Sequence, residues 1–228
     1  MHLKIKLLVL ALVCLMPSLA LAQRLTKETI YFGGMGGIAT LSGDANAVIT
    51  PTSASTSLYD PSNGGAASAF LGIHLFNYVS LQVDYVWNSN DVVLISSING
   101  PGAASFYRQP ESVTQNGFLG NALVYFRKQG SRIRPYLSEG IGGVLIHSHV
   151  AGQRVVAGSP SLPPTSSDHA SIALRTSVGL DVRMRSSWYF RYSFGETITR
   201  NTFGDQLSPP EHRIPKNFQS LFGIYFKL

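Results

Sequence analysis

Residues 171–184, SIALRTSVGLDVRM, alternate between apolar and polar side chains along almost their whole length. Ile172, Leu174 and Val178 belong to the apolar set, and Arg175 and Asp181 lie between its members. Such alternation predicts an extended strand with two unlike faces. A soluble sheet would bury the apolar face, whereas a transmembrane barrel would turn that face toward lipid. The class of protein therefore depends on which face points inward.

The first residues have the organisation of an export signal. Lys4 lies in a basic beginning, Leu7 to Met16 form a short apolar run, and Ala20-Leu21-Ala22 is a small-residue cleavage motif. This order predicts a secretory signal peptide over residues 1–22 that is cleaved after Ala22. The run is too short for a spanning helix and is followed by Pro17. We expect one mature domain, residues 23–228.

The composition of the remaining chain excludes several classes. The single cysteine, Cys14, lies in the signal peptide, so disulfides and thiolate metal sites are not expected in the mature protein. No cluster of basic residues with interleaved aromatics suggests nucleic-acid binding. No later stretch approaches the roughly 20 apolar residues of a membrane helix. For an exported chain with only 13% charged residues, a closed barrel is the other way through a bilayer.

Alternating or glycine-punctuated segments recur along the chain, and the connections between them are short and long in turn. Short connections predict periplasmic turns, and long ones rich in Ser, Pro, Gly, Asn and Thr predict outer loops. A soluble lipocalin-like binder gives no reason for this regularity. The sequence predicts an all-β, eight-stranded antiparallel up-and-down transmembrane β-barrel. Its predicted strands are 28–41, 66–76, 79–88, 112–127, 132–147, 169–185, 188–200 and 217–228.

The rows of large apolar residues are expected to face lipid. Eight strands enclose an interior that side chains just fill, and several bulky aromatic rows would not fit there. On the lipid face, Arg or Lys at the bilayer midplane would cost about 2–4 kcal/mol. Aromatics near both strand ends fit the girdles of such barrels. The lipid-facing and girdle residues are Trp87, Phe126, Trp188, Phe190, Phe218 and Phe226.

The opposite rows place charged residues inside the predicted barrel, where unpaired charges would be costly. They are therefore expected to form a network that blocks passive flow of solutes. Glu139 is included, although Ile141 and Leu145 share its side of the strand: either a bulge near Gly142-Gly143 switches the faces or Glu139 faces lipid. The predicted network consists of Asp84, Glu139, Arg175, Asp181, Arg183 and Arg191.

The C-terminal residues 223–228, GIYFKL, resemble the terminal assembly signal of bacterial outer-membrane barrels. Gly223 precedes hydrophobic residues at alternate positions that include Phe226 and Leu228, with Leu228 where a terminal Phe is commoner. Residues 121–127, NALVYFR, and 134–137, RPYL, with the glycines that follow, resemble two strands of the OmpA/OmpX-like small outer-membrane barrel family. The resemblance implies insertion by the outer-membrane assembly machinery and implies no activity.

Two motifs raise binding hypotheses that the sequence does not support further. Residues 33–39, GGMGGIA, contain a G-x-G-x-x-A pattern, but a polar loop follows instead of a helix. Tight packing in a narrow barrel explains these glycines. His147 and His149 are a conceivable metal pair, with His169 and His212 in other outer regions, but no carboxylate or thiolate completes a recognised ligand set. No metal or cofactor is therefore expected.

An enzyme hypothesis rests on His169-Ala170-Ser171, which has the His-x-Ser spacing of outer-membrane lipid A deacylases, with Glu196 as a third member. Serine activation needs a histidine within hydrogen-bond reach. His169 and Ser171 share the lumen-facing row, however, and Ile172 follows where that family has Asn. We therefore do not expect an enzyme.

The resulting prediction is an integral outer-membrane barrel with a side-chain-filled lumen, long extracellular loops and a structural or surface-interaction role. A lipid A deacylase-like enzyme and a narrow channel remain alternatives. The expected partners are outer-membrane lipid, lipopolysaccharide and the assembly machinery, and a monomer is expected. The partner of the loops stays open.

Overall fold

The computed structural model describes residues 29–101, 103–158, 166–200, 207, 209 and 216–228. The predicted signal peptide and His212 lie outside these residues. The described chain is all-β, and no helix in it is long and apolar enough to cross a membrane. Its strands are β1 (Thr29–Leu41), β2 (Asp44–Ile49), β3 (Ala54–Pro61), β4 (Gly64–His74), β5 (Val79–Gly100), β6 (Ala103–Tyr125), β7 (Ile133–Val150), β8 (Val155–Ala157), β9 (Ser166–Arg183), β10 (Trp188–Ile198) and β11 (Lys216–Lys227).

Eight of these strands close into a ring in the order β5, β4, β1, β11, β10, β9, β7, β6, and the pairing of β6 with β5 completes it. Every neighbouring pair in the ring is antiparallel. Three connections at one end are short turns, in which the Phe76 amide donates to the Val79 carbonyl and the Arg185 amide donates to the Trp188 carbonyl. The predicted eight-stranded antiparallel barrel is confirmed. Short turns mark the periplasmic end of such barrels.

The inversion of the two faces is also confirmed. Val83 on β5 and Leu174 on β9 are 56% and 53% exposed, whereas Asp84 and Arg175 beside them are 4% and 3% exposed. An apolar outer wall is stable only against hydrocarbon, because there is no water there to drive these side chains inward. The alternation of residues 171–184 therefore arises from lipid on one side and a packed interior on the other.

The outer connection after the third barrel strand differs from the prediction. Residues 89–111 were expected to form a loop, but β5 and β6 continue as one hairpin with 22 paired positions, from Val79 with Val124 to Gly100 with Ala103. The apolar side chains change faces within it. Val92 and Leu94 point inward and are fully buried, in contrast to the outward-facing apolar residues at 79–87. Because the alternation of apolar and polar residues is interrupted at this change, the sequence predicts a loop here.

The outer connections after β1 and after β7 also add strands to this sheet. β3 pairs with the upper part of β5, β2 pairs with β3, and β8 pairs with β6 through residues 155–157. We call this part the extension: β2, β3, β8, β5 beyond Asn88 and β6 before Gln115. It forms a five-stranded sheet beyond the membrane-level barrel, in the order β2, β3, β5, β6, β8.

The interior of the molecule is divided into two levels. At the turn end it is filled by polar and aromatic side chains. Toward the extension it contains an apolar set, which we call the upper cluster, beside buried polar side chains such as Asn90, Gln109 and Gln115. The upper cluster consists of Leu41, Tyr59, Val86, Val92, Leu94, Tyr107, Val113, Leu119, Val144, Ile146, Ala173 and Leu207.

Candidate functional site: the barrel lumen

The centre of the lower lumen is a buried ion pair between neighbouring strands. Arg191 on β10 and Asp181 on β9 are register partners, both point inward, and both are 0% exposed. Arg191 Nε donates to Asp181 Oδ1 at 2.7 Å and Nη2 donates to Oδ2 at 2.8 Å. This two-point geometry matches the planar guanidinium to the carboxylate and is the strongest form of such a pair.

Tyrosines and a glutamine complete the hydrogen bonding of this pair. Tyr125 and Tyr225 donate their hydroxyl hydrogens to Asp181 Oδ2 at 3.0 and 2.9 Å. Arg191 Nη2 donates to the Tyr125 hydroxyl at 2.9 Å, and Nη1 donates to Gln82 Oε1 at 2.7 Å. A buried charge pair is tolerated when its remaining donors and acceptors are satisfied in this way.

The contact between Arg191 and Gln82 crosses the barrel. β10 and β5 are four places apart in a ring of eight strands, so they lie on opposite walls. The rings of Tyr225, Phe70 and Tyr136 lie around the guanidinium, with centroids 4.7, 4.8 and 5.1 Å from Cζ. Side chains from both walls therefore meet at the centre of the barrel at this level.

A second pair of opposite charges continues the network. Gln82 Nε2 donates to Asp84 Oδ1 at 2.5 Å, and Asp84 Oδ2 lies 3.8 Å from Arg175 Nη1. This separation exceeds hydrogen-bond length, and Arg175 Nη1 has no hydrogen-bond partner. The Asp84–Arg175 pair is therefore weaker than the Asp181–Arg191 pair. We call Arg191, Asp181, Gln82, Asp84, Arg175 and their tyrosines the lumen network.

Two residues assigned to this network from the sequence lie elsewhere. Glu139 is exposed on the outer wall, where the Thr176 hydroxyl donates to its Oε2 at 2.9 Å. The β6–β7 register is continuous, with Ser138 opposite Leu123 and Glu139 opposite Ala122, so no bulge turns Glu139 inward. Placing Glu139 in the lumen was wrong, and the lipid-facing alternative is the one observed.

Arg183 also lies outside the charge network. It is half-buried at the last position of β9, and its amide donates to the Arg132 carbonyl in the neighbouring turn at 2.8 Å. It continues the inward row of Asp181 but lies two residues closer to the turn. Arg183 therefore belongs to the periplasmic rim.

Several lumen residues were not selected from the sequence. Arg134 on β7 is 1% exposed, lies 3.7 Å from the centroid of the Tyr125 ring, and donates from Nη2 to the Asn77 carbonyl at 3.3 Å. Tyr31 donates its hydroxyl to Gln82 Oε1 at 3.0 Å. Both residues lie on inward-facing rows of their strands, so strand alternation could have identified them as lumen residues.

The histidine and serine candidates are engaged in other contacts. His147 Nδ1 and Asp168 Oδ1 form a short hydrogen bond across β7 and β9, and the His147 and His149 rings are 5.9 Å apart. Ser171 donates its hydroxyl to the Ile172 carbonyl at 3.1 Å and accepts from the Arg200 amide at 3.2 Å. Across the residues the structure describes, no three His, Cys, Asp or Glu side chains are arranged to hold a metal ion.

The predicted girdle and C-terminal residues have the following positions. Trp188 and Phe226 pack edge to face at the turn end, with ring centroids 5.3 Å apart, and Phe126 is exposed nearby. Phe218 stacks on Phe194 at 6.4 Å toward the other end. Exposed or half-exposed side chains on the outer wall include Trp87, Phe126, Trp188, Phe190, Phe218, Phe226 and Leu228.

Gly223 lies where β11 meets β1. A Cβ atom at this position would overlap the Gly34 carbonyl and the Met35 Cα. The close approach of these two strands requires a residue without a side chain. Gly223 therefore has a packing reason in this barrel, apart from the role in assembly that the terminal motif suggests.

The closed ring, the lipid-facing apolar wall and the charged interior together define a small transmembrane β-barrel. The family model for the outer membrane protein beta-barrel domain matches residues 7–214. The chain belongs to this family, whose members lie in the bacterial outer membrane.

Solved barrels share the architecture at low sequence identity. Neisserial surface protein A is 11% identical, with 90% of this chain and 100% of that chain covered and a TM-score of 0.51. OprG of Pseudomonas aeruginosa is 11% identical, covering 90% and 98%, with a TM-score of 0.46. Ail, the attachment invasion locus protein of Yersinia pestis, is 8% identical, covering 88% and 99%, with a TM-score of 0.46. No curated protein matches the sequence. The likeness to Neisserial surface protein A concerns the fold alone.

Proposed function

We propose that this protein is a non-conducting outer-membrane barrel that holds a rigid β-sheet platform outside the cell, with a structural or surface-interaction role. The observation that carries the proposal is the contact between Arg191 and Gln82 from opposite walls, with the upper cluster above it. Solutes passing through the barrel would have to displace two successive packed levels. The role is therefore assigned to the outer surface of the protein.

The platform is the extension, and its construction suits recognition. Most of its backbone is paired in one five-stranded sheet, so binding would order few residues. Ile49 on β2, Val155 and Val156 on β8, and Phe106 on β6 expose apolar side chains outside the membrane level. Exposed apolar groups on a rigid surface are a common basis of protein contacts.

Planar-bilayer recording tests the closed lumen. Purified refolded protein should show no steady conductance, because the lumen network and the upper cluster each fill the interior. A matched pair of variants sharpens the result. Arg191→Ser with Leu94→Ala weakens both levels and should allow current, whereas Arg200→Ser with Ile95→Ala alters outer positions and should not. Large steady conductance in the wild-type protein would replace this proposal with the channel alternative.

Deletion of the hairpin tip tests the surface role. Removing residues 92–110 and joining the ends with a short turn should leave a folded barrel that shifts on a gel after heating. Cells carrying this variant should lose attachment to surfaces or envelope resistance to detergent if the platform is used. Wild-type behaviour in both assays would contradict the surface-interaction role, provided the truncated barrel is present at normal abundance.

The proposal excludes acyl hydrolysis, and Ser171 gives a direct test. Its hydroxyl is bonded to the Ile172 carbonyl and the Arg200 amide rather than to an imidazole, so it lacks the base that activates a serine. Mass spectrometry of lipid A from cells with and without the protein should show the same acyl chains. Loss of one acyl chain that depends on Ser171, abolished by Ser171→Ala, would establish the lipid A deacylase alternative instead.

The proposed partners follow from the surfaces of the barrel. The apolar wall is in contact with outer-membrane lipid, lipopolysaccharide surrounds the outer part, and the protein acts as a monomer. The segment from Gly223 to Leu228 would engage the assembly machinery during insertion. Phe226→Ser and Leu228→Ser should lower the amount of folded barrel, whereas Lys227→Ser should not. Analytical ultracentrifugation in matched detergent tests the monomer.

A further inference from the structure

The short turns at the periplasmic end differ sharply in charge. The turn between β6 and β7 carries Arg127, Lys128 and Arg132, and all three side chains are exposed. The turn between β9 and β10 carries exposed Arg185 next to half-buried Arg183. The remaining short turn, residues 75–78, has the sequence LFNY and no charge. The basic residues are therefore confined to two of the three turns.

These two turns are neighbours in space. β6, β7, β9 and β10 are consecutive in the ring, and the Arg183 amide donates to the Arg132 carbonyl at 2.8 Å, which joins the turns directly. No Asp or Glu occurs at residues 126–135 or 182–188. We call Arg127, Lys128, Arg132, Arg183 and Arg185 the basic rim. The two turns therefore carry charged side chains of one sign only.

The basic rim borders the lipid-facing wall. Four of its five members are next in sequence to exposed apolar residues at the lower limit of that wall: Phe126 precedes Arg127, Ile133 follows Arg132, and Met184 lies between Arg183 and Arg185. An exposed apolar side chain at this end of the wall would reach the acyl chains, which would place the cation beside it near the level of the phosphates. Long basic side chains place their charges at this level while their methylene groups remain in apolar surroundings.

We propose that the basic rim is a binding site for anionic phospholipid headgroups in the membrane leaflet at the periplasmic end. The chemistry recognised is the phosphodiester, which arginine can bind through two parallel hydrogen bonds. Several cations over four adjacent strands would hold a shell of anionic lipid on one side of the barrel, and the uncharged turn at 75–78 would leave the other side without preference. This site is independent of the extracellular role proposed above.

Tryptophan quenching tests this proposal directly. The chain has two tryptophans, and Trp188 accepts hydrogen bonds at its carbonyl from the Met184 and Arg185 amides, so it reports on the basic rim. Trp87→Phe leaves Trp188 as the single probe. In phosphatidylcholine vesicles, brominated phosphatidylglycerol should quench Trp188 at a mole fraction several-fold lower than brominated phosphatidylcholine. High salt should reduce the difference.

Two charge-matched variants distinguish a site from a general field. The double variant Arg127→Gln with Arg185→Gln removes two cations from the rim. Each of the two substitutions should lower the preference for phosphatidylglycerol by about fivefold at most, because one basic residue near an anionic surface contributes roughly 1 kcal/mol. Arg108→Gln with Arg200→Gln removes two exposed cations from the opposite end and should leave quenching unchanged.

Three results would overturn the proposal. Equal quenching of the wild-type protein by the two brominated lipids excludes a headgroup site. An equal effect of both double variants reduces the preference to net charge. A preference that a soluble carboxylate-bearing peptidoglycan fragment abolishes at low concentration, without any response to inorganic phosphate, assigns the rim to a cell-wall partner instead of lipid.

Discussion

The two halves of β5 are parts of one continuous strand but differ in the side chains that they bury. In residues 79–88 the large apolar side chains face outward, as at Leu81 and Val83, and the polar ones face inward. In residues 89–98 the inward row is mixed: Val92 and Leu94 are fully buried beside buried Asn90 and Ser96, and Asp91 faces out. Pairing with β6 continues through both halves, while the other partner changes from β4 to β3. The difference shows that the surrounding solvent, lipid below and water above, decides where the same residue types are placed.

The interiors of the two halves are held in different ways. The lower interior depends on directional contacts, with Arg191 bonded to Asp181, Gln82 and Tyr125. The upper cluster depends on removal of apolar surface from water, and it contains tolerated imperfections. Within the described chain, the buried hydroxyl of Tyr107 in this cluster has no hydrogen-bond partner. We therefore expect loss of a charge to affect the lower half and loss of volume to affect the upper half.

The largest effect is expected from Arg191→Met. It leaves the buried Asp181 carboxylate without its cation, and breaking a buried pair in this way costs about 3–5 kcal/mol. The free energy of unfolding should fall by this amount in urea titrations of the protein refolded in detergent. Adding Asp181→Asn should restore part of the loss, because it removes the unpaired charge.

Arg175→Met serves as the control for this prediction. Its separation of 3.8 Å from Asp84 indicates a weaker pair, so the loss should be clearly smaller than for Arg191→Met. Equal losses for the two variants would show that distance in the lumen does not decide the strength of these pairs.

Leu94→Ala should affect the upper half. Truncation of a buried leucine costs about 2–5 kcal/mol, according to how far the cavity collapses. Hydrogen exchange should accelerate in residues 89–113 and remain unchanged in residues 79–88, because the lower interior is separately held. Uniform acceleration over the whole of β5 would contradict the division into two levels.

A pair of outward-facing arginine substitutions tests the two solvents. Val83→Arg places a charge on the lipid-facing wall and should cost about 2–4 kcal/mol if the position lies near the midplane. Val93→Arg places the same charge on the outer side of the extension, opposite Asp60 in the register, and should cost little. Similar losses of folding yield in liposomes for both variants would remove the distinction on which the comparison rests.

The smallest effect concerns pH and the extension. Burial raises the pKa of Glu111 above its ordinary value of 4.5, whereas the side chains of Gln109 and Ser148 lower it. A raised pKa in the folded state contributes stability at pH values below 4.5, and this contribution is lost as the pH rises through the folded pKa. Local opening of the extension, measured by proteolysis, should therefore increase between pH 4.5 and 8. Glu111→Gln should show a flatter profile.

Much of the fold could be predicted from the sequence because lipid imposes a simple rule. Alternation of large apolar with small or charged residues identified all eight barrel strands and the correct facing of Arg175 and Asp181. The extension was missed because the apolar phase reverses near residue 90. Alternation predicts the inward and outward faces well within either part of the strand. Local strand propensity does not indicate the residue at which the strand leaves the membrane.

The candidate site was predicted in part for a related reason. Asp84, Arg175, Asp181 and Arg191 were chosen as inward charges, and the structure brings them together. The tyrosines that complete their hydrogen bonds were assigned no role. Glu139 was placed inside because a charge was assumed to avoid lipid, although its strand parity indicated the outer wall. The alternation of positions along the strand predicted the face of Glu139 better, because a continuous register fixes the face on which each side chain lies.

The occluded lumen also constrains how the protein can be made. Residues 89–111 form a paired sheet beyond the membrane-level barrel, and a lumen closed as proposed would leave them no route through the finished barrel. They would therefore have to cross before Arg191 and Gln82 meet, so translocation of the hairpin would precede closure of the ring. A factor that delays the contact between Arg191 and Gln82 would lengthen the time available for export. A variant that forms this contact early would leave the hairpin tip in the periplasm.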